Sequence, residues 1–243
     1  MESEYAFHEM SEFNYLINQG IGQGKPFFYM SSNFGPYKTQ EYLEKARENF
    51  AISKVCFRDK ESYELFQDLE TVSYAPDLAF SLQIPKVEKE KKTIGVSVIN
   101  LEKREELKDK TQMYEELIKK TIIQFAKRDY QVKLFSFSQF ETDDKAIERI
   151  QKSVPKEYQE KVTARYFDGD IDSYLEDYVK MEYMICTRFH SMILSILSEQ
   201  KIYNITYSKK QDNVILDTGL FRRYQRIKDL QNDTKVRKFY FKK

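Results

Sequence analysis

After residue 86 the sequence alternates short apolar runs with amphipathic stretches of helical period, and no other feature constrains the fold as tightly. "KTIGVSVIN" (92–100) and "YQVKLFSFS" (130–138) are rich in β-branched and aromatic residues and read as strands. Between them Tyr114, Leu117, Ile118, Thr121, Ile122 and Phe125 recur at the spacing of one helix face. "KVTARYF" (161–167) reads as a further strand. Ile171, Tyr174, Leu175, Tyr178 and Val179 then mark a helix that Asp170 is placed to cap. "YMICT" (183–187), a helix from about 188 to 199 and "KIYNITY" (201–207) complete another strand–helix–strand unit. Apolar strands separated by helices belong in a parallel sheet covered on both faces.

The first 85 residues show the same alternation in a shorter array: a helix near 5–19, strand 25–32, helix 39–50, strand 52–57, helix 59–67 and strand 70–75. "PKVEKEKK" (85–92), a charge run behind a proline, marks the boundary. The chain therefore reads as α/β, with a partial N-terminal lobe over 1–85 and a Rossmann-like lobe over 86–243. A single continuous sheet is the alternative.

Composition narrows the function. With 41% apolar and 15% aromatic residues in 243, the chain can bury a core despite its 33% charged residues. Forty Lys and Arg against 39 Asp and Glu leave a formal charge of +1, so no global field draws nucleic acid or an anionic membrane. An anion must be held locally. Two cysteines outside any CxxC or zinc spacing fit a reducing cytoplasm, and two histidines cannot build a histidine metal cage. No apolar run approaches the roughly 20 residues of a transmembrane segment, and the acidic start "MESEYAFHEM" is unlike a leader. Nucleotide-binding GxxxxGK[ST] and GxGxxG, hydrolase GxSxG and metalloprotease HExxH are all absent from the sequence.

Open parallel sheets bind ligands beyond the carboxyl ends of their strands. Four such ends carry residues that local folding does not require. "YMICTRFHSMILSIL" (183–197) places Arg188 and His190 in the first turn of a helix, with Thr187 as the expected cap. A cation there opposes the helix dipole at a cost of about 0.3–1 kcal/mol. Two offsets are open: a neighbouring acid pairs with Arg188 and His190 is a satisfied core or capping residue, or a bound anion engages the guanidinium fork. "VCFRDKES" repeats the geometry, with Arg58 after a strand and Asp59 as a helix cap; Asn33 lies in the turn "SSNFGPYKT", and "YAPDLAF" sets Asp77 just past a strand. Arginines in both lobes fit an anion held across a cleft.

Taken in order, "NFGPY", "FRDKES", "YAPDLAF", "TRFHSMILSILSEQKIYNITYSKK" and "NVILDTGL" resemble the polysaccharide pyruvyl transferase family over roughly residues 25–220. The matching motif is an Arg-x-His at a helix start, then Tyr-x-x-Lys and a Gly-Leu ending: here Arg188, His190, Tyr207, Lys210, Gly219 and Leu220. The resemblance implies two Rossmann-like lobes with parallel sheets facing a cleft, as in glycosyltransferase-B-like enzymes. It implies transfer of pyruvate from phosphoenolpyruvate onto a sugar diol as a ketal, in cell-surface polysaccharide biosynthesis, with no cofactor. His190 then serves as proton carrier with Asp77 or Asp59 assisting as base, and Arg58, Arg188, Lys210 and Asn33 bind substrate. The acceptor is a sugar or lipid-linked oligosaccharide, met in the cytoplasm or at the inner face of the membrane.

The sequence departs from the family at Phe189, where leucine is more usual, and in lacking the first strand and glycine-rich "GN-x-GD"-like turn. The first lobe thus reads as shortened, and its exposed sheet surface favours a homo-oligomer. Two other readings stay open: a nucleotide-sugar glycosyltransferase in which Arg188 and Lys210 hold a diphosphate, and an inactive assembly protein on the same fold.

Overall fold

The computed structural model describes residues 20, 23–35, 37–217 and 224–231. The helix expected over 5–19, Gly219, Leu220 and the basic stretch "VRKFYFKK" (236–243) lie outside the described residues. The chain divides into two units, residues 1–81 and 82–243.

In the first unit, Thr39 accepts the Tyr42 N–H at 3.3 Å and starts helix α1 (Gln40–Ile52). Asp59 accepts the Ser62 N–H at 2.9 Å and starts α2 (Lys60–Phe66), the cap expected of it. These helices lie between β1 (Phe28–Ser32), β2 (Lys54–Phe57) and β3 (Val72–Tyr74), a parallel sheet in that order. Its core is an aromatic cluster: Phe34, Phe50 and Phe57 surround Phe66, and the Phe50–Phe66 rings meet edge to face at 4.9 Å.

The second unit carries β4 (Glu90–Val98), α3 (Thr111–Ala126), β5 (Gln131–Ser136), α4 (Asp143–Ser153), α5 (Lys156–Gln159) and β6 (Val162–Arg165). There follow α6 (Ile171–Val179), β7 (Met181–Cys186), α7 (Phe189–Leu197), β8 (Lys201–Thr206), α8 (Lys209–Asp217) and β9 (Tyr224–Arg226). All six strands are parallel in the order β6-β5-β4-β7-β8-β9, which is the 3-2-1-4-5-6 winding of a Rossmann sheet. Alternation along the strands builds two cores. Ile94, Val96, Ile185 and Ile205 pack with Tyr114, Leu117 and Ile118 of α3 and Ile147 of α4. Phe135, Met184 and Ile202 pack on the other face with Tyr174 and Tyr178 of α6 and Met192 of α7. Gly95 is small for a reason: an added Cβ would run into the Met184 side chain and lie 2.9 Å from Phe135 Cε2.

Some expectations are corrected. Helix α4, which buries Ala146, Ile147 and Ile150 along one face, is not among the expected elements. Ile171 is 61% exposed, so the buried face of α6 begins at Tyr174. The cap of α7 is Arg188, not Thr187, because Thr187 is engaged elsewhere: its N–H reaches Ser97 Oγ at 2.8 Å and its hydroxyl meets Tyr114 Oη at 3.2 Å. Among the described residues, no helix is long and apolar enough to cross a membrane.

Candidate functional site

The carboxyl edge of the second sheet is where the switch in winding direction, between β4 and β7, brings several loops together. Arg188 follows β7 directly and is buried. Its Nε donates to Asp143 Oδ2 at 3.0 Å and its Nη2 donates to Asp143 Oδ1, a two-point fork. Its Nη1 lies 2.8 Å from Glu141 Oε2. The charge opposing the helix dipole is thus offset by two carboxylates of this chain, the first of the two offsets open from sequence. Burial alone would lower the Arg188 pKa, but the bonds and charges of Asp143, with that of Glu141, hold it above the ordinary value.

Asp143 organises the site. It is 0% exposed and opens α4, and it also accepts backbone N–H groups from Asn100 (3.2 Å), Phe137 (3.2 Å) and Ser138 (3.0 Å). One carboxylate therefore ties together the loops after β4 and β5 and the start of α7. Ser97 Oγ adds a second tie, accepting from the N–H groups of Thr187 and Arg188 at 2.8 and 3.2 Å.

Glu141 sits half-buried between two guanidiniums, with Arg104 Nη2 donating to its Oε2 at 2.6 Å. Burial would raise its pKa, but the charges and hydrogen bonds of Arg188 and Arg104 outweigh that and hold it below the usual 4.5. The Arg104 guanidinium lies over the Tyr207 ring at 4.4 Å. His190, in the first turn of α7, is exposed, with its ring 5.3 Å from that of Phe189.

Behind the loop edge, Cys186 and the hydroxyls of Tyr178, Ser191 and Ser195 form a fully buried knot, with Tyr178 Oη 2.9 and 2.7 Å from the two serine oxygens. Burial pushes both the Cys186 thiol and the Tyr178 phenol up. These groups hold α6 and α7 against β7. Cys186 is thus a core residue.

The first unit gathers three of the expected residues at the carboxyl edge of its own sheet. Arg58 Nη1 donates to Asp77 Oδ2 at 2.5 Å, and Nη2 donates to Asn33 Oδ1 at 3.1 Å. Asp77 is buried, and its other oxygen accepts the Ala79 N–H at 2.9 Å, so it also caps the turn Leu78–Ser81. Asp59 is committed to Ser62 through both carboxylate oxygens. Arg188 and His190 form their own group in the second unit. Lys210 lies in α8, and its side chain falls outside the described residues. Asp143, Glu141 and Arg104 are not among the residues that the sequence singles out. The available signal was the acidic pair Asp143–Asp144 opening a helix. Among the described residues no group of three or more His, Cys, Asp or Glu side chains is arranged to hold a metal ion.

Two parallel sheets covered by helices, each with an arginine fixed by a carboxylate beyond its strand ends, define an α/β protein with Rossmann-like winding in its second unit. The description polysaccharide pyruvyl transferase matches residues 10–209, and the chain belongs to that family. Among solved structures it is similar to an α,α-trehalose-phosphate synthase (UDP-forming) from Burkholderia vietnamiensis, with a TM-score of 0.51 and 11% identity over 87% of this chain and 58% of that one. It is also similar to an E. coli heptosyltransferase, WaaC with ADP-2-deoxy-2-fluoro heptose (TM-score 0.38, 10% identity, 67% of this chain and 58% of that one). A Streptococcus pneumoniae complex of accessory secretory proteins 1, 2 and 3 matches at TM-score 0.43 and 11% identity, over 70% of this chain and 33% of that one. The chain spans between a third and three fifths of these structures, and the synthase likeness bears on fold alone. No curated protein sequence matches.

Proposed function

We propose that the chain moves the pyruvyl unit of phosphoenolpyruvate onto two hydroxyls of a sugar, forming a ketal and releasing phosphate. The observation carrying this reading is the strand-end Arg188, immobilised by Asp143, with an exposed His190 two residues on at the helix start, in a chain of this family. A bound anion adds to the favourable field at that helix end. In the reaction the methylene carbon of the donor gains a proton and becomes methyl. The adjacent carbon loses its bond to the phosphate oxygen and gains two bonds to sugar oxygens. Of the two hydroxyl protons released, one balances the proton taken up by carbon and the other leaves with phosphate. His190 is the proton carrier, taking one from an attacking hydroxyl and delivering it to the methylene carbon. Arg188 neutralises the donor's anionic groups as charge builds on the leaving phosphate. Cell-surface polysaccharide or its lipid-linked precursor supplies the diol.

The test uses His190→Gln, since His190 is exposed and its replacement spares the core. Calorimetry with phosphoenolpyruvate and with a UDP-sugar is paired with phosphate release in the presence of methyl hexopyranosides bearing free diols. The expected result is saturable phosphoenolpyruvate binding by both proteins, with phosphate release falling by about 100-fold or more in the variant. Binding of the UDP-sugar alone would overturn the reading in favour of glycosyl transfer.

A further inference from the structure

We propose that Arg104 and Arg188 form a paired-guanidinium site for a carboxylate or phosphate oxygen, and that Glu141 holds this position until the ligand displaces it. The site deepens the function proposed above, and only the naming of phosphoenolpyruvate as its ligand rests on that reading.

A single oxygen, Glu141 Oε2, lies 2.6 Å from Arg104 Nη2 and 2.8 Å from Arg188 Nη1. Two guanidiniums converging on one point at charge-assisted distance is how proteins hold an anionic oxygen. The two carboxylates that meet Arg188 are not equivalent. Asp143 is fully buried and fixed by three backbone N–H groups in addition to the arginine, so it stays. The Glu141 side chain is 31% exposed, in the loop between β5 and α4, and both of its cationic partners come from other loops. Its backbone N–H is anchored on Ser138 Oγ at 3.1 Å, so the side chain can swing toward solvent without unfolding the loop.

Arg104 is equipped for exchange. Its Nε is buried and has no hydrogen-bond partner among the described residues, leaving a donor beyond the one given to Glu141. Its guanidinium is kept in place from behind by the Tyr207 ring, which does not compete for those donors. The residues around the point come from the loops after β4 (Arg104), β5 (Glu141), β7 (Arg188) and β8 (Tyr207), the edge at which open α/β sheets take ligands. Two arginines and two carboxylates balance as they stand. A ligand that replaces Glu141 finds one net positive charge, and a solvated glutamate is released.

The experiment is calorimetry on the full chain, with Glu141→Gln and Arg104→Ala beside wild type, titrated separately with phosphoenolpyruvate, inorganic phosphate and pyruvate. Neutralising the occupant should tighten anion binding about tenfold, or about 1.4 kcal/mol, and removing Arg104 should weaken it by a similar factor. A merely structural Glu141 would not produce tightening. Glu141→Ala is the second variant if the glutamine keeps bridging the arginines, and matched thermal melts establish that each variant is folded. If phosphoenolpyruvate binds all variants alike, the exchange is wrong and the transfer reading stands. If phosphate or pyruvate shows the two opposite shifts while phosphoenolpyruvate does not bind, the site is right and the donor is wrong. If no anion binds any folded variant, both are overturned. Pyruvate responding without phosphate assigns the pair to the carboxylate, and the converse assigns it to the phosphate.

Discussion

Replacing Asp143 with alanine should cost more than the loss of one ion pair, because Arg188 would stay buried with its charge only partly met by Glu141. Breaking a buried pair from one side costs about 3–5 kcal/mol. Arg188→Met strands the charge of Asp143 instead, cushioned by the three backbone N–H groups it still accepts, so a cost of about 3 kcal/mol is expected. The double variant strands neither charge. Its remaining loss is that of the N–H groups deprived of an acceptor, again about 3 kcal/mol in sum. The cycle should therefore show a coupling of about 3–5 kcal/mol, at or above the upper end for residues in direct contact. Urea unfolding measures it, followed by circular dichroism and tyrosine emission, since the chain has no Trp. Additive costs at unchanged m-value would refute the claim that Asp143 exists to hold Arg188.

Two further outcomes follow from local geometry. The folded pKa of Glu141 is below its ordinary 4.5, so its pairing stabilises fully above that value and is lost as pH falls through the depressed folded value; thermal midpoints between about pH 2 and pH 6 should show an acid limb that Glu141→Gln flattens. Gly95→Ala forces a methyl against Met184 and Phe135 and should destabilise by about 1–3 kcal/mol, a cost that Met184→Ala in the same chain should partly relieve in urea midpoints.

The parts legible in the sequence were those set by local pattern. Tyr114, Leu117, Ile118, Thr121, Ile122 and Phe125 are all buried on α3, and Asp170 caps α6 by accepting the Ser173 N–H at 3.1 Å. What escaped depends on contacts distant in sequence. The value of Asp143 comes from Arg188, 45 residues away, and the acidic pair Asp143–Asp144 by itself announces only a helix start. Helix α4 buries only three apolar side chains, Ala146, Ile147 and Ile150, so its face is well defined but short, set among the charged residues of "TDDKAIERIQKS". Arg104 falls in "LEKREELKDK" (101–110), a charge-dense run that reads as solvated loop. Thr187 reads as a cap by residue type, and only the packing of Tyr114 and Ser97 shows why Arg188 takes that place.

Both units treat their strand-end arginine alike: Arg58 is steadied by Asp77 and Asn33, and Arg188 by Asp143. In each case a buried aspartate also accepts from the main chain, one N–H for Asp77 and three for Asp143, so the carboxylate is held by the backbone and in turn holds the guanidinium. A cation fixed in this way has lost its side-chain entropy before any ligand arrives, which is the condition for orienting a small anion cheaply. The difference lies in the second carboxylate. Glu141 gives Arg188 a partner that can leave, so the guanidinium is satisfied when empty and one charge short when Glu141 turns away. The pair is then stable as it stands and, under the proposed exchange, still favourable to an anion, with the exposed His190 two residues on in the first turn of α7.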